Sequence, residues 1–383
     1  MNFLRKSYIL QIIFIFFIWR ILLFVTSYLS VFAVPIFGNR FPYWNMLLST
    51  INLPSWIWGF GNFDGVHYLR IVTMGYESSQ YSQAFFPMYP IFIKLVTLQS
   101  GNFLTGLIFT NIIFLLSLIV FYKLIEIDFS KKIALYSVVL LAAFPTSFYF
   151  GSLYSESLFL FFSVSAIYLL RKKNFLIAGL YALLACSTRI IGLWLIPLFL
   201  IEIYLGFKKK DIISRDLFKI AVSILIIPSG LLLYMFYLGY NFHDPLLFLN
   251  SQASFGAERS NLPIIFTPQV FFRYIKMLLS VPVNTLLFMN IFLEFIFTIF
   301  SLLLLIIIFR KVRFSYWVFS LGCWLTPTLT GTFSSMPRYI LMMFLLLPFL
   351  AKISKKYFLL LIILFIILGI LLTALFTRGY WVA

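Results

Sequence analysis

Charged residues, histidine and cysteine are all scarce in this sequence of 383 residues. Charged residues make up 10% of the chain, and it has two histidines and two cysteines, whereas 63% of its residues are hydrophobic. Both cysteines, Cys186 and Cys323, fall within apolar runs, so neither a disulfide framework nor a zinc site is expected. The chain lacks an Asp-x-Asp motif, a glycine-rich nucleotide loop and a Walker sequence. Their absence argues against bound metals, other cofactors, nucleotide-sugar substrates and ATP-driven transport.

Long runs of apolar residues are the most abundant feature of the sequence. Runs of about 18 or more apolar residues recur between Tyr8 and Phe376, and each could cross roughly 30 Å of hydrocarbon. The first run, Tyr8 to Phe32, is too long for a cleaved secretory signal and has no small-residue cleavage site. The net charge of +18 does not indicate nucleic-acid binding, because the basic residues form short clusters between the apolar runs. The sequence therefore predicts an all-α polytopic membrane protein.

Placing the basic clusters on the cytoplasmic side gives about eleven transmembrane helices, a cytoplasmic amino terminus and an extracytoplasmic carboxyl terminus. The whole chain, 1–383, then forms one membrane domain with two large extracytoplasmic loops, 33–102 and 239–285. Phe85 to Leu98 is apolar but too short to span, so it is predicted to be an interfacial or juxtamembrane helix. The predicted spans lie near 8–32, 103–123, 133–150, 155–170, 174–188, 190–206, 218–238, 286–309, 314–332, 337–351 and 357–376.

This topology divides the acidic residues between the two faces of the membrane. Solvated surface charge is expected beside the cytoplasmic basic clusters, at Glu126, Asp128, Glu202, Asp211 and Asp216. The outer side holds Asp64, Glu77, Glu156, Asp244 and Glu258, while Glu294 lies inside a span. Both histidines and the arginines Arg189 and Arg338 are also on the outer side. Because outer loops normally lack arginine and lysine, these two arginines need a reason to be there.

The first outer loop is the most informative stretch. It carries Asp64 and His67 in the pattern Phe-Asp-Gly-Val-His, followed by Gly-Tyr-Glu ending at Glu77. An aspartate just beyond the first span, in an aromatic setting, could act as a general base that takes a proton from a sugar hydroxyl. The alternative is that Asp64 caps a short helix beginning near Gly65.

Three other groups of polar residues lie on the same side. Tyr154 and Glu156, at the turn between the third and fourth spans, could bind a polar substrate, or Glu156 could simply cap its helix and complement the dipole. Arg189 and Arg338 each stand at the outer end of a predicted span. Such guanidiniums could bind a phosphate through two parallel hydrogen bonds, or could reach toward lipid headgroups.

The last of these groups is His243 with Asp244, which opens the second outer loop. This pair could position an acceptor, or Asp244 could form an Asx turn or a loop cap.

At these residues the chain resembles the membrane-embedded GT-C glycosyltransferases, and within them prokaryotic relatives of GPI mannosyltransferase II, the PIG-V family (glycosyltransferase family 76). The resemblance is carried by Phe-Asp-Gly-Val-His-Tyr-Leu, Gly-Tyr-Glu, Phe-Phe-Pro-Met-Tyr-Pro, Leu-Tyr-Ser-Glu-Ser-Leu-Phe and Thr-Arg-Ile-Ile-Gly. These motifs lie between residues 60 and 192. Beyond them the similarity is mostly hydropathy, with the Met-Pro-Arg-Tyr and terminal Tyr-Trp-Val-Ala stretches.

The resemblance implies a GT-C-type bundle with juxtamembrane helices in the first outer loop, in the plasma membrane. It implies transfer of a sugar, expected to be mannose, from a polyprenyl-phosphate donor to an extracytoplasmic glycan or glycolipid acceptor, with inversion and without a metal. Asp64 would be the base, and His67 would orient the acceptor or the base. Arg189 and Arg338 would hold the donor phosphate. Glu77, Tyr154, Glu156, His243 and Asp244 are the expected substrate-binding residues.

The main alternative from another class is a secondary transporter or lipid flippase. Transporters often have internal repeats, and their ionisable residues tend to lie at mid-membrane. The sequence has no convincing repeat, and its outer ionisable residues gather at the membrane boundary. A non-catalytic scaffold protein is a third interpretation that composition alone leaves open.

Overall fold

The computed structural model describes residues 7–37, 44–78, 81–211, 213–255, 265–352 and 355–382. Within these residues the chain is helical and contains no strand, which confirms the all-α prediction. Its α-helices are α1 Tyr8–Ala33, α2 Trp44–Leu47, α3 Ser55–Trp58, α4 Asp64–Met74, α5 Met88–Val96, α6 Phe103–Glu126, α7 Lys131–Ala143, α8 Glu156–Arg171, α9 Phe175–Thr188, α10 Leu195–Lys208, α11 Leu217–Ile226, α12 Ser229–Phe242, α13 Leu247–Asn250, α14 Thr267–Ser280, α15 Leu286–Ile308, α16 Phe314–Thr328, α17 Met336–Ile340, α18 Leu347–Leu350 and α19 Lys355–Thr377. Short 3-10 helices lie at Gly59–Gly61, Tyr76–Ser78, Ser82–Ala84, Ser147–Gly151, Ile190–Trp194, Ser214–Asp216, Ser251–Phe255 and Phe344–Leu346.

Six helical segments of the described chain are long and apolar enough to cross a membrane, and the protein is therefore a membrane protein. They are Tyr8–Ala33, Phe103–Glu126, Ile190–Lys208, Leu217–Phe242, Leu286–Ile308 and Lys356–Thr377. Other predicted spans are helical but shorter; α8, for example, has 16 residues and is about 24 Å long. The count of eleven spans therefore stays a prediction.

The prediction of one continuous span at 337–351 is wrong. This stretch contains two short helices, α17 and α18, with a 3-10 turn between them, and Pro337 and Pro348 stand in the first turns of the two helices. Proline fits a first turn but cannot continue a helix from the preceding turn. Most of the segment is buried inside the protein, where an interrupted backbone can find hydrogen-bond partners.

The first outer loop folds into short helices, as predicted. The stretch from Phe85 to Leu98 contains α5, whose nine residues extend about 14 Å and cannot cross the hydrocarbon. Its position at the membrane interface stays a prediction. Asp64 is the first residue of α4, close to the helix start predicted near Gly65.

α8 is the central helix of the bundle. It packs against α6 and α9, and twelve of its sixteen residues are buried. Its first residue is Glu156 and its last is Arg171, so the two ends of this helix place charged side chains about 22 Å apart.

The prediction of a solvated surface charge is wrong for Glu202, whereas Asp128 is exposed as predicted but is paired with arginines. Arg171 donates to both carboxylate oxygens of Asp128, at 2.6 and 2.8 Å. Arg313 donates to both oxygens of Glu202, at 2.9 and 2.7 Å, and Glu202 is only 8% exposed. Partial burial raises the pKa of Asp128. The hydrogen bond from Arg171 and the positive charges of the nearby guanidiniums lower it by more, so the pKa lies below its ordinary value. Packing of α8, α10 and α16 removes Glu202 from water, whereas Asp128 stays at the surface.

Candidate functional site

Four of the polar residues predicted for the site meet at one cavity of about 1120 Å³. Asp64, His67, Arg189 and Arg338 all line it, although they come from widely separated parts of the chain. The cavity lies at the end of α8 that carries Glu156, opposite the network formed by Asp128 and Glu202.

The loop before α4 is hydrogen-bonded to the end of α19. The side-chain amide of Asn62 donates to the backbone carbonyls of Phe376 at 2.9 Å and Thr377 at 3.2 Å. Gly59 permits this approach, since a Cβ there would lie 2.5 Å from the carbonyl oxygen of Thr377. The glycine-rich sequence ahead of Asp64 thus brings the loop into contact with the last helix.

The residue immediately before Asp64 has an unusual backbone conformation. Phe63 has φ 59° and ψ −114°, a backbone conformation that residues other than glycine rarely adopt. Its ring packs against Phe376 at 5.7 Å and against Trp381 at 5.0 Å. The turn is further held by Tyr154, whose hydroxyl donates to the carbonyl of Asn62 at 2.8 Å and accepts from the backbone N–H of Asp64 at 3.2 Å. Packing and hydrogen bonding together fix the start of α4.

Asp64, Arg338, Glu156 and Arg189 form a continuous ionic chain. Nη1 of Arg338 lies 2.5 Å from Oδ2 of Asp64. Nε of the same guanidinium donates to Oε1 of Glu156, which also accepts from Nη1 of Arg189. Two carboxylates therefore offset two guanidiniums, and Arg338 links the aspartate to the glutamate. The carboxylate of Asp64 pairs with an arginine 274 residues away.

The two arginines are positioned by the ends of their helices. Arg189 follows the last residue of α9 in an extended conformation. Arg338 lies in the short helix α17, and the hydroxyl of Thr146 donates to the carbonyl of Pro337 at 2.8 Å. The guanidinium of Arg338 also lies over the ring of Tyr154 at 4.8 Å. These contacts fix the orientation of the planar guanidinium.

Glu156 and Tyr154 lie behind the cavity wall and do not line the cavity. Glu156 is the first residue of α8, as predicted, and is fully buried. Its Oε1 accepts from both arginines, while Oε2 has no hydrogen-bond partner among the described residues. Glu156 therefore contacts the arginines from the protein side.

His67 lies one helical turn after Asp64 on the same face of α4. Its ring stacks on Phe85, with ring centroids 4.9 Å apart, and Phe255 approaches its edge. Burial lowers the pKa of His67 below its ordinary value of 6.5, Asp64 opposes this by raising it, and Arg70 lowers it further. The imidazole is therefore neutral at neutral pH.

Glu77, His243 and Asp244 lie outside the set of cavity-lining residues. Glu77 is exposed in a 3-10 helix, and His243 is exposed at the end of α12. The Asp244 carboxylate accepts from the N–H of Leu246 at 2.8 Å and from the side-chain amide of Asn250 at 2.7 Å, which is an Asx turn. The substrate-binding assignment of these three residues stays a prediction.

The cavity also has a polar wall that sequence reasoning did not find. Arg273, Tyr274 and Lys276 from α14 line it together with Glu294 from α15. The hydroxyl of Tyr274 donates to Oε2 of Glu294, and burial followed by the charge of Glu294 raises the pKa of Tyr274. The sequence feature that could have indicated this wall was the presence of Arg273 and Lys276 in an outer loop, where basic residues are normally scarce. Among the described residues, no group of three or more His, Cys, Asp or Glu side chains could hold a metal ion.

The family model described as Mannosyltransferase (PIG-V) matches residues 2–266, which is more than half of the chain. The chain therefore belongs to this mannosyltransferase family, in agreement with the resemblance found in its motifs. No curated protein matches the chain. The matched segment includes Asp64, His67, Glu156 and Arg189, whereas the α14 wall and Arg338 lie beyond it.

Proposed function

We propose that this membrane glycosyltransferase of the PIG-V mannosyltransferase family transfers mannose from a polyprenyl-phosphate donor to an extracytoplasmic glycan or glycolipid. The observation that carries the proposal is the ion pair between Asp64 and Arg338 at the wall of the cavity, with Arg189 beside it. A carboxylate and two guanidiniums are the groups that this reaction requires. Transfer from an activated lipid phosphate needs one proton removed and the leaving phosphate stabilised.

In the proposed reaction, the acceptor hydroxyl oxygen attacks the anomeric carbon of the sugar from the side opposite the phosphate. The new carbon–oxygen bond forms as the bond to the phosphate oxygen breaks, which inverts the anomeric centre. The acceptor proton passes to Asp64, and polyprenyl phosphate leaves with one additional negative charge. Arg338 and Arg189 stabilise that charge.

Arg338 has a double role in this scheme. Its guanidinium pairs with Asp64 and neutralises that carboxylate. A donor phosphate attracts the same guanidinium, so its binding weakens the interaction with Asp64 and leaves the carboxylate more basic. Donor binding thereby prepares the base, and the acceptor is deprotonated only when a leaving group is in place.

We assign Glu156 and Tyr154 positioning roles in place of direct substrate contacts. Glu156 accepts from both arginines and lies behind the cavity wall, while Tyr154 holds the backbone at Asp64. His67, which lines the cavity as a neutral imidazole, orients the acceptor or Asp64. Glu77, His243 and Asp244 would contact only a larger part of the acceptor, beyond the cavity.

The proposed orientation puts the cavity outside the plasma membrane and the amino terminus in the cytoplasm. It is supported by Arg171, Lys172 and Lys173, which lie at the opposite end of α8 from Glu156. Clusters of lysine and arginine favour the cytoplasmic side.

The test is a transfer assay with purified protein, radiolabelled polyprenyl-phosphate mannose and a membrane glycan extract. Transfer by the wild type, and its loss in Asp64→Asn, are the expected results. No transfer by intact wild-type protein, or equal transfer by Asp64→Asn, would refute the proposal. Replacing the donor with GDP-mannose separates lipid-linked from nucleotide-linked chemistry.

A further inference from the structure

Arg273 and Lys276 differ from Arg189 and Arg338, the other two cations of the cavity, in their pairing with carboxylates. Arg189 and Arg338 are paired with carboxylates, whereas no carboxylate of the described residues forms a salt bridge with Arg273 or Lys276. Arg273 donates to the carbonyl of Gly331 at 3.3 Å. The two residues are three positions apart on α14 and share one helix face, which lines the cavity. This face of α14 therefore presents two positive charges to any anion in the cavity.

The other face of α14 is apolar and exposed. Phe272 is 68% exposed, Ile275 48% and Leu279 84%. A helix with basic residues on one side and large apolar residues on the other is typical of the boundary between headgroups and acyl chains. The basic face of α14 would then lie at the depth of lipid phosphates.

The junction of α14 with α15 connects the cavity to the outside of the protein. Met277 and Val281 line it from the α14 side, while Leu287 and Ile291 line it from α15. Leu287 is 59% exposed, so the junction opens onto the lipid-facing surface. One and two turns further along α15, Ile291 and Glu294 continue the same stripe into the cavity. The wall is therefore apolar at its mouth and polar inside.

We propose that the α14–α15 junction is the docking site of the lipid-phosphate donor, which reaches the cavity sideways from the bilayer. Its phosphodiester contacts Arg273 and Lys276, and its first prenyl units lie on Met277, Val281 and Leu287. The proposal rests on the proposed function, since it assumes a lipid-linked donor. It adds a second cation pair to the two arginines beside Asp64.

Charge complementarity favours the donor phosphate for this first contact. An arriving phosphate must compete with Asp64 and Glu156 for Arg338, whereas no carboxylate of the described residues forms a salt bridge with Arg273 or Lys276. The electrostatic cost of the first contact is therefore lower at α14. The cations lie inside the cavity and the apolar side chains lie at its mouth. A ligand with an anionic head and a long apolar chain is complementary to this arrangement.

The first experiment measures binding of tritiated polyprenyl phosphate to the purified full chain in nanodiscs, without acceptor. The double variant Arg273→Gln, Lys276→Gln should bind about tenfold more weakly, because each charge-assisted contact is lost. Lys276→Arg should keep most of the affinity. Lys94→Gln is the matched control, since Lys94 is an exposed cation on the short helix α5 that does not line the cavity.

A second pair of variants tests the route of the prenyl chain. Leu287→Trp places a large ring at the mouth of the junction, whereas Leu279→Trp places the same ring on the outward face of α14. Leu287→Trp should weaken binding of polyprenyl phosphate, and Leu279→Trp should leave it unchanged. Equal effects of the two substitutions would refute this route.

A labelling experiment on the wild type avoids dependence on the folding of variants. A polyprenyl phosphate with a photoreactive group on its first prenyl unit should label residues 277–291, and labelling confined to other helices would overturn the proposal. Competition by phosphatidic acid as strong as that by polyprenyl phosphate would show a general anionic-lipid surface and would also overturn it. Wild-type protein that binds no polyprenyl phosphate would instead refute the donor in the proposed function. Normal binding by the charge variants would refute only the docking site.

Discussion

Asp64→Asn separates the chemical role of Asp64 from its structural role. Asparagine has almost the same shape, and the backbone N–H of residue 64 can still donate to the hydroxyl of Tyr154, as it does at 3.2 Å. The substitution removes the negative charge that lies 2.5 Å from Arg338. The start of α4 should therefore keep its conformation while the base is lost.

Two effects of opposite sign are expected from this change. Loss of a general base lowers kcat by about 10²–10⁴-fold, which corresponds to roughly 3–5 kcal/mol in the activation barrier. Donor affinity should stay constant or rise, because Arg338 no longer interacts with Asp64 and is more available to phosphate. Opposite charges about 4 Å apart near a protein surface interact by roughly 4 kcal/mol, and partial solvation of Asp64 reduces this to a gain of up to about tenfold in affinity.

Single-turnover transfer from radiolabelled polyprenyl-phosphate mannose gives the rate, and equilibrium binding of the donor gives the affinity. Asp211→Asn is the matched control, because Asp211 is an exposed aspartate that does not line the cavity. A rate within about threefold of wild type would rule out Asp64 as the base. Loss of donor binding together with the rate would indicate that Asp64 mainly holds the site together.

Four further outcomes are expected. Glu156→Gln should raise the donor KM more than it lowers kcat, since two guanidiniums lose their shared carboxylate; an unchanged KM would contradict the positioning role. His67 has a pKa below 6.5, so its protonation should reduce the rate only as the pH falls below 6.5, and His67→Gln should abolish that acid limb of the pH–rate profile. Activity should survive EDTA; a loss that added divalent metal restores would contradict the metal-free mechanism. Glu202→Gln should lower the melting temperature, because a buried carboxylate pairs with Arg313, but should leave the donor KM unchanged.

Much of the fold was predictable because the membrane imposes the length of its helices. α1, α6, α15 and α19 coincide closely with apolar runs in the sequence. The segment 337–351 was not predictable from hydropathy, since a broken segment buried in protein has the same composition as a span. Hydropathy also gave no warning that Glu202 would be buried, because its burial depends on Arg313, 111 residues away.

The residue types of the candidate site were predictable, but their contacts were not. Topology and motif order selected Asp64, Glu156, Arg189 and Arg338 as polar residues on one face of the membrane. Their connection into one ionic chain depends on packing between helices that are distant in sequence. Arg273 escaped notice because its loop lies outside the motifs of the first half of the chain.

The attachment of the first outer loop to the last helix has a consequence for biosynthesis. Asn62 is held by carbonyls 314 and 315 residues later in the chain. A nascent chain that stops before Phe376 therefore has no acceptor for this amide, and the turn that presents Asp64 is held only by Tyr154. Because contacts this distant in sequence are slow to form, we expect the transferase to become competent only after its final helix has been synthesised and inserted. A ribosome-bound fragment that contains every motif of the first half should thus remain inactive.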